Sequence, residues 1–232
     1  MIITLEGVQG SGKTLSAVAM CYKDKQRGRN IFSNNHLSES FGNYTFFDVP
    51  FFLERMGIEH GENAHDTDYE GNGGEGVALE NSTLLLDEAY IYLDSRTSGG
   101  KLNKLFTYFT VQTRKRGVDM YVCTHHIDVL DKRLRRAVDV RGTCRYLKED
   151  PCRQCKGLGY LRRRTKPGQD PPVCPRCLGY GHTGFALTDF THQHTGQRSR
   201  GYLQGPAFWQ LYDTTERIKL TKKTMKIKAD DM

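Results

Sequence analysis

Met1-Ile2-Ile3-Thr4-Leu5-Glu6-Gly7-Val8-Gln9-Gly10-Ser11-Gly12-Lys13-Thr14 is the stretch on which the fold turns. Met1 to Glu6 reads as a short buried strand, and a helix-compatible run starts at Lys13. Between them Gly7 to Thr14 has the spacing G-x-x-x-x-G-K-[ST], the P-loop pattern in its strand–loop–helix setting. Glycines without a Cβ let successive backbone N–H groups curl around a phosphate. The following helix aims its positive end at the same anion. Gly7, Val8, Gln9, Gly10, Ser11, Gly12, Lys13 and Thr14 are therefore expected to hold a nucleoside triphosphate. Lys13 would reach the β- and γ-phosphates and the Thr14 hydroxyl would bind Mg²⁺. A glycine-rich turn with a chance lysine is the bland alternative.

A second anchor lies at Thr83-Leu84-Leu85-Leu86-Asp87-Glu88, an apolar run ending in two carboxylates. It fits a fully buried parallel strand whose acidic tip lies beside the P-loop. Asp87 is then expected to hold Mg²⁺ and Glu88 to orient and polarise an attacking water. The competing reading makes the two carboxylates caps of a helix starting at Ala89.

The chain of 232 residues suits one α/β domain with embellishments. With 37% hydrophobic and 26% charged residues it has the composition of a soluble protein, and no apolar run approaches the ~18 residues of a membrane helix. The P-loop begins too early to leave room for a signal peptide, so a cytoplasmic site of action is expected. Charge is unevenly spread. Residues 1–95 carry 6 Lys/Arg against 15 Asp/Glu, whereas residues 96–232 carry 28 against 12. That split suggests a basic face for a polyanion, the alternative being a merely solvated surface.

Along the chain, Leu15, Val18, Ala19 and Tyr22 space out one helix face that ends near Lys23–Arg29. Ile31-Phe32 and Tyr44 to Phe47 are strand candidates, and Pro50 could open a short helix through Phe52 and Arg55. Gly57 to Gly76, with 6 glycines, 6 acidic residues and no Lys or Arg, reads as a flexible insertion. A metal role for His60 and His65 inside it is the weaker reading. Lys101 to Thr113 is an amphipathic helix candidate closed by Arg114-Lys115-Arg116-Gly117. Val118 to Thr124 is a strand running into His125-His126, followed by a helix over Ile127 to Arg136. Val138 to Leu147 and Phe185 to Phe190 are two further strands, Phe208 to Tyr212 is a last short helix, and the lysine-rich tail reads as mobile.

Of 7 cysteines, Cys21, Cys123 and Cys144 fall in expected helix or strand. The other four form Cys152-x-x-Cys155 and Cys174-x-x-Cys177, 18 residues apart, the spacing of a closed structural zinc site. Each pair continues as Cys-x-x-Cys-x-Gly-x-Gly, through Gly157 and Gly159, then Gly179 and Gly181. The duplicated pattern resembles the zinc modules of DnaJ chaperones. A redox dithiol is the alternative. Tyr160, Arg162-Arg163-Arg164 and Lys166 between the knuckles could grip phosphates or dock on a neighbouring subunit or an acidic protein.

The order of P-loop, Leu-Leu-Leu-Asp-Glu-Ala-Tyr, Arg-Lys-Arg-Gly and a strand ending Thr-His resembles small ATPases of the FtsK/HerA superfamily. Within it the chain looks most like the zonula occludens toxin-like ATPases of filamentous phages and the genome-packaging ATPases of membrane-containing viruses. Leu211-Tyr212-Asp213-Thr214 is also similar to the toxin-like group, and the resemblance covers roughly residues 1–147 and 184–216. It implies a RecA-like P-loop fold: an ATPase core over 1–150, a zinc module inserted over 151–182, the domain's return over 183–218 and a basic tail over 219–232. It also implies a homo-oligomeric ring, a hexamer, moving double-stranded DNA, with ATP between subunits and an arginine supplied in trans. Arg116 best matches that finger, with Arg114 and Arg96 as fallbacks. His125 stands where the family has a γ-phosphate-sensing Gln. The expected activity is Mg²⁺-dependent ATP hydrolysis that packages a viral genome in the host cytoplasm, at the virion or an assembly site, in contact with a capsid vertex. One alternative is phage assembly and export with a membrane-embedded partner; another is a zinc-stabilised nucleic-acid-binding nucleotide switch.

Overall fold

The computed structural model describes residues 1–48, 80–97, 103, 106, 109, 110, 113–162 and 170–213. β1 (Ile2–Glu6) is buried along its whole length because both of its faces are covered. Ile2 joins one apolar cluster with Leu84, Leu86, Met120 and Val122, while Ile3 and Leu5 join another with Leu85, Tyr121 and Cys123. A strand that alternates between two covered faces reads in sequence as an unbroken apolar run. Each fully buried leucine of this kind contributes about 2 kcal/mol.

After β1 come α1 (Lys13–Gln26), β2 (Asn30–Ser33), β3 (Thr45–Phe46), β4 (Ser82–Leu86), β5 (Asp119–Thr124) and α2 (Lys132–Ala137). Then follow β6 (Val140–Pro151), β7 (His182–His192), β8 (Arg198–Gln204) and α3 (Pro206–Trp209). The strands form one eight-stranded sheet in the order β3-β2-β4-β5-β1-β6-β7-β8. All pairs from β3 to β6 are parallel, and β7 and β8 add antiparallel strands at one edge. Thus β1 is central, and the chain leaves it for one side of the sheet before returning to the other. This is where α/β sheets open a crevice at their carboxyl ends.

α1 lies over the cluster containing Ala17, Val18 and Cys21. It ends at Gly28, whose φ of 82° allows the chain to turn back. Ser16 Oγ meets Thr188 Oγ1 of β7 at 3.2 Å, tying the helix to the antiparallel edge.

Several sequence expectations need correction. The helix expected over Ile127 to Arg136 is broken: a 3-10 turn spans Ile127–Val129 and α2 starts only at Lys132. Asp131 causes the break, because its carboxylate caps α2 by accepting from Arg133 N at 2.7 Å while its own N–H donates to Leu93 O. The last helix covers Pro206–Trp209, and Tyr212 lies instead in an extended bridge to Leu37. β6 and β7 outrun the expected strands at both exits toward the cysteine module, and β8 had no counterpart in the sequence reading. The helix proposed from Pro50, the Gly57–Gly76 insertion with its histidines, the Arg163 to Lys166 run and the tail lie outside the described residues. Of the Lys101–Thr113 helix, Asn103, Phe106, Phe109 and Thr110 are described and helical, while Thr113 already lies in the turn that follows.

Candidate functional site

The P-loop joins β1 to α1 at the carboxyl edge of the sheet. A Cβ on Gly7 would come within 2.5 Å of Ser11 Oγ and 2.7 Å of Cys144 O, so only glycine fits where the loop leaves β1. Gly12, at φ 85°, caps α1. The Lys13 ammonium, buried within the loop, donates to Gly7 O at 3.0 Å and Val8 O at 3.1 Å.

Thr14 Oγ1 donates to Asp87 Oδ2 at 2.9 Å. The two sequence anchors, 73 residues apart, therefore meet through the two side chains expected to hold magnesium. Asp87 is buried, and that burial together with the neighbouring Glu88 charge pushes its carboxyl up to about 6. A buried carboxylate, a hydroxyl and an adjacent second carboxylate form a surplus of negative charge that a hard cation would neutralise, so the donor set fits Mg²⁺.

Glu88 sits at φ 48° and ψ 45° and makes no side-chain cap to the 3-10 turn Ala89–Ile91 that follows. The helix-cap reading of this pair is therefore not what the geometry provides. Left-handed backbone at a non-glycine residue costs roughly 1–2 kcal/mol. Glu88 Oε2 is buried without a hydrogen bond among the described residues. His125 Nε2 lies 3.8 Å from it, and the His125 ring rests against Tyr90 with centroids 5.2 Å apart. His125 is also tied to the loop, since Gly7 N donates to its carbonyl at 3.2 Å.

Arg116 stands elsewhere. It belongs to the turn before β5, at the amino edge of the sheet, whereas His125 follows β5 at the carboxyl edge. The six residues of β5 separate them by roughly 20 Å. Arg116 is thus not brought to its own chain's P-loop. Arg114 shares that turn, and Arg96 pairs with Asp94 at 2.7 Å.

Two supports escaped the sequence reading. Asn34 grips the Asp87 backbone from both sides: its Nδ2 donates to Asp87 O at 2.9 Å and its Oδ1 accepts from Asp87 N at 2.7 Å. Glu6 accepts two bonds from Arg141, at 2.7 and 2.9 Å, and a third from Ile127 N at 3.2 Å, anchoring the His125 turn to the end of β1. The available signal was position alone, polar residues directly after apolar strands at the carboxyl edge.

Cys152, Cys155, Cys174 and Cys177 converge beyond the ends of β6 and β7, all buried, with their sulfurs within 4.8 Å of one another. Cys152–Cys174 and Cys155–Cys177 sulfurs are 3.8 and 3.6 Å apart. Four ligands at ~2.3 Å from one tetrahedral ion would stand about 3.8 Å apart, so the group fits zinc. The knuckles are near copies: Gly159 N and Gly181 N each donate to a sulfur at 3.3 Å. They also clasp each other, and a Cβ on Gly159 would fall 2.2 Å from Gly179 O. Burial raises the Cys21, Cys123 and Cys144 thiols, which are core residues held in the neutral form.

The ribbon bearing this centre also walls the P-loop, since a Cβ on Gly12 would lie 3.1 Å from Ala186 Cβ and 3.6 Å from Tyr146 Cδ2. No helix among the described residues is long and apolar enough to cross a membrane.

Among solved structures, the N-terminal domain of zonular occludens toxin from Neisseria meningitidis is similar in fold. It is 18% identical with a TM-score of 0.51, covering 91% of this chain and 98% of that one. The genome packaging NTPase of Sulfolobus turreted icosahedral virus 2 is 10% identical with a TM-score of 0.48, covering 86% of this chain and 95% of that one. A sequence search of curated proteins gives no match. The family model for zonular occludens toxin (Zot) matches residues 1–149, which include the P-loop, Asp87, Glu88 and His125. With well over half of its length matched, the chain belongs to the zonular occludens toxin (Zot) family.

Proposed function

We propose that this protein is a Mg²⁺-dependent ATPase that drives the handling of DNA during assembly of a virus or phage. The observation that carries this reading is the 2.9 Å contact between Thr14 and Asp87, which joins the P-loop to a paired carboxylate. Lys13 and the loop amides bind the phosphates. Thr14 and Asp87 would hold the magnesium, which when bound neutralises charge on the phosphates. Glu88, whose Oε2 has no hydrogen bond among the described residues, orients the attacking water and takes its proton. His125, 3.8 Å from that oxygen, faces the same crevice and donates to the γ-phosphate. Arg116 acts from a neighbouring copy in a homo-oligomeric ring. The cysteine centre binds zinc and holds the ribbon tip, a module inserted between two strands of the ATPase domain.

Genome packaging in the host cytoplasm, with DNA as cargo and a capsid vertex as the docking point, is the reading favoured by the basic second half of the chain. Family membership favours a second reading, in which the same motor serves phage assembly and export with a membrane-embedded partner.

Hydrolysis by the purified protein, measured with duplex DNA, with single-stranded DNA and without either across a salt series, separates them. Stimulation that fades as salt rises supports a motor gripping phosphates; rates indifferent to any DNA move the cargo to protein. Glu88→Gln is expected to lower kcat by at least about a hundredfold with ATP binding retained. Unchanged turnover would remove Glu88 from the mechanism.

A further inference from the structure

We infer that the outer face of the β6–β7–β8 ribbon binds a single strand of nucleic acid, with Tyr202 as its stacking platform. This deepens the DNA-handling reading and rests on it. One face of the ribbon is turned to α1 through Thr188 and Cys144, which meet at 3.5 Å. The other is open. In the antiparallel register Arg145, Leu187 and Tyr202 stand in one cross-strand row, Asp189 and Arg200 in the next, and Arg141 and Arg198 in the third. All belong to that open face because side chains alternate along a strand.

Charge and exposure identify the occupant. Arg141 is held by Glu6 at 2.7 Å and Arg200 by Asp189 at 2.6 Å. Arg145 and Arg198 are exposed. Arg145 shares the field of the Asp189 carboxylate with Arg200, so among the described residues four arginines on this face meet only the Glu6 and Asp189 carboxylates and a positive surplus remains. Amid these arginines Tyr202 is 66% exposed, and Phe185 near the ribbon tip is 40% exposed. An aromatic ring left mostly in water on a flat sheet, flanked by guanidinium groups, matches a base stacked on the ring with its phosphates on the arginines. Same-face residues on β8 follow one another at about 6.8 Å, so Arg198, Arg200 and Tyr202 form one line. A duplex keeps its bases inside the stack and would leave the ring idle; hence an unpaired strand.

The test is fluorescence anisotropy of labelled oligothymidylate of about twenty nucleotides, and of a duplex of equal length, binding the full chain without nucleotide. Tyr202→Ala is expected to weaken single-strand binding about tenfold, Tyr202→Phe to restore it, and neither to alter duplex binding. Arg145→Ala with Arg198→Ala should shallow the log–log salt dependence by about 1.4, near 0.7 for each phosphate that is no longer neutralised. Equal affinity of the parent and Tyr202→Ala, or equal weakening on both forms of DNA, overturns the assignment. So does a Tyr202→Ala variant that changes oligomeric state, because the ring would then be contacting a second copy. Basal hydrolysis without DNA stays at the parental rate in all these variants. An inactive parent would count against the ATPase reading, not against this surface.

Discussion

Asp87 carries the strongest conflict at residue scale, a carboxylate buried beside another carboxylate. Its ordinary value of 3.8 is pushed up to about 6 by burial first and by the Glu88 charge second. Between those values the unfolded chain has already lost the proton that the folded chain keeps. Unfolding therefore releases a proton, and stability falls as pH rises. The contribution is fully present below about 3.8 and lost above about 6, a difference of roughly 3 kcal/mol at about 1.4 kcal/mol per unit. Asp87→Asn cannot ionise. In urea unfolding without magnesium its stability relative to the parent should rise by about that amount between pH 4 and pH 7. A pH-independent difference would mean that the folded protein carries the charge throughout. The place of Asp87 beside the P-loop was legible, because a run of leucines ending in two carboxylates reads as a buried strand with an acidic tip. Asn34, which holds Asp87 in place through two bonds, was not. An asparagine after a strand is an ordinary turn residue until the neighbouring strand is known.

Among the elements, the central parallel strands could be read directly because burial on both faces forces long apolar runs into the sequence. β8 could not. Arg198-Ser199-Arg200-Gly201-Tyr202-Leu203-Gln204 is an edge strand whose residues are exposed or half-buried, so the hydrophobic alternation that marks a strand is nearly erased. The division at Asp131 was equally hidden, since Ile127 to Arg136 keeps helical spacing across a residue that caps the second half only. The four cysteines were legible as one cluster, but not the clasp between their knuckles. That clasp makes a prediction at this scale. The knuckles bury little besides their own sulfurs, Leu158 and Leu161, so a bound metal would supply most of the tip's order. Cys174→Ser should lose bound zinc by elemental analysis and open trypsin sites at Arg153, Lys156, Arg162 and Arg176. Nucleotide binding should persist at near parental affinity, because the long β6–β7 pairing continues without the tip. Simultaneous loss of zinc and nucleotide binding would show the two sites to be one cooperative unit.

For the whole molecule, the sheet separates the residues proposed for the chemistry into two groups. Lys13, Thr14, Asp87, Glu88 and His125 gather at its carboxyl edge, while Arg116 occupies the amino edge at the far end of β5. No side chain reaches the roughly 20 Å between them. If Arg116 stabilises the γ-phosphate it must do so in a second copy, and the active unit is then an interface. Two broken proteins should in that case repair each other. Lys13→Ala keeps the arginine and loses the phosphate site; Arg116→Ala keeps the site and loses the arginine. Each alone should be at least about a thousandfold slower than the parent. Co-assembled in equal amounts in a cyclic ring, about one interface in four joins an intact site to an intact arginine. Hydrolysis should therefore return to about a quarter of the parental rate. Mixed rings that form, as judged by size, but stay inactive would exclude Arg116 as the trans-acting group and leave Arg114, in the same turn, to be tried by the same mixing.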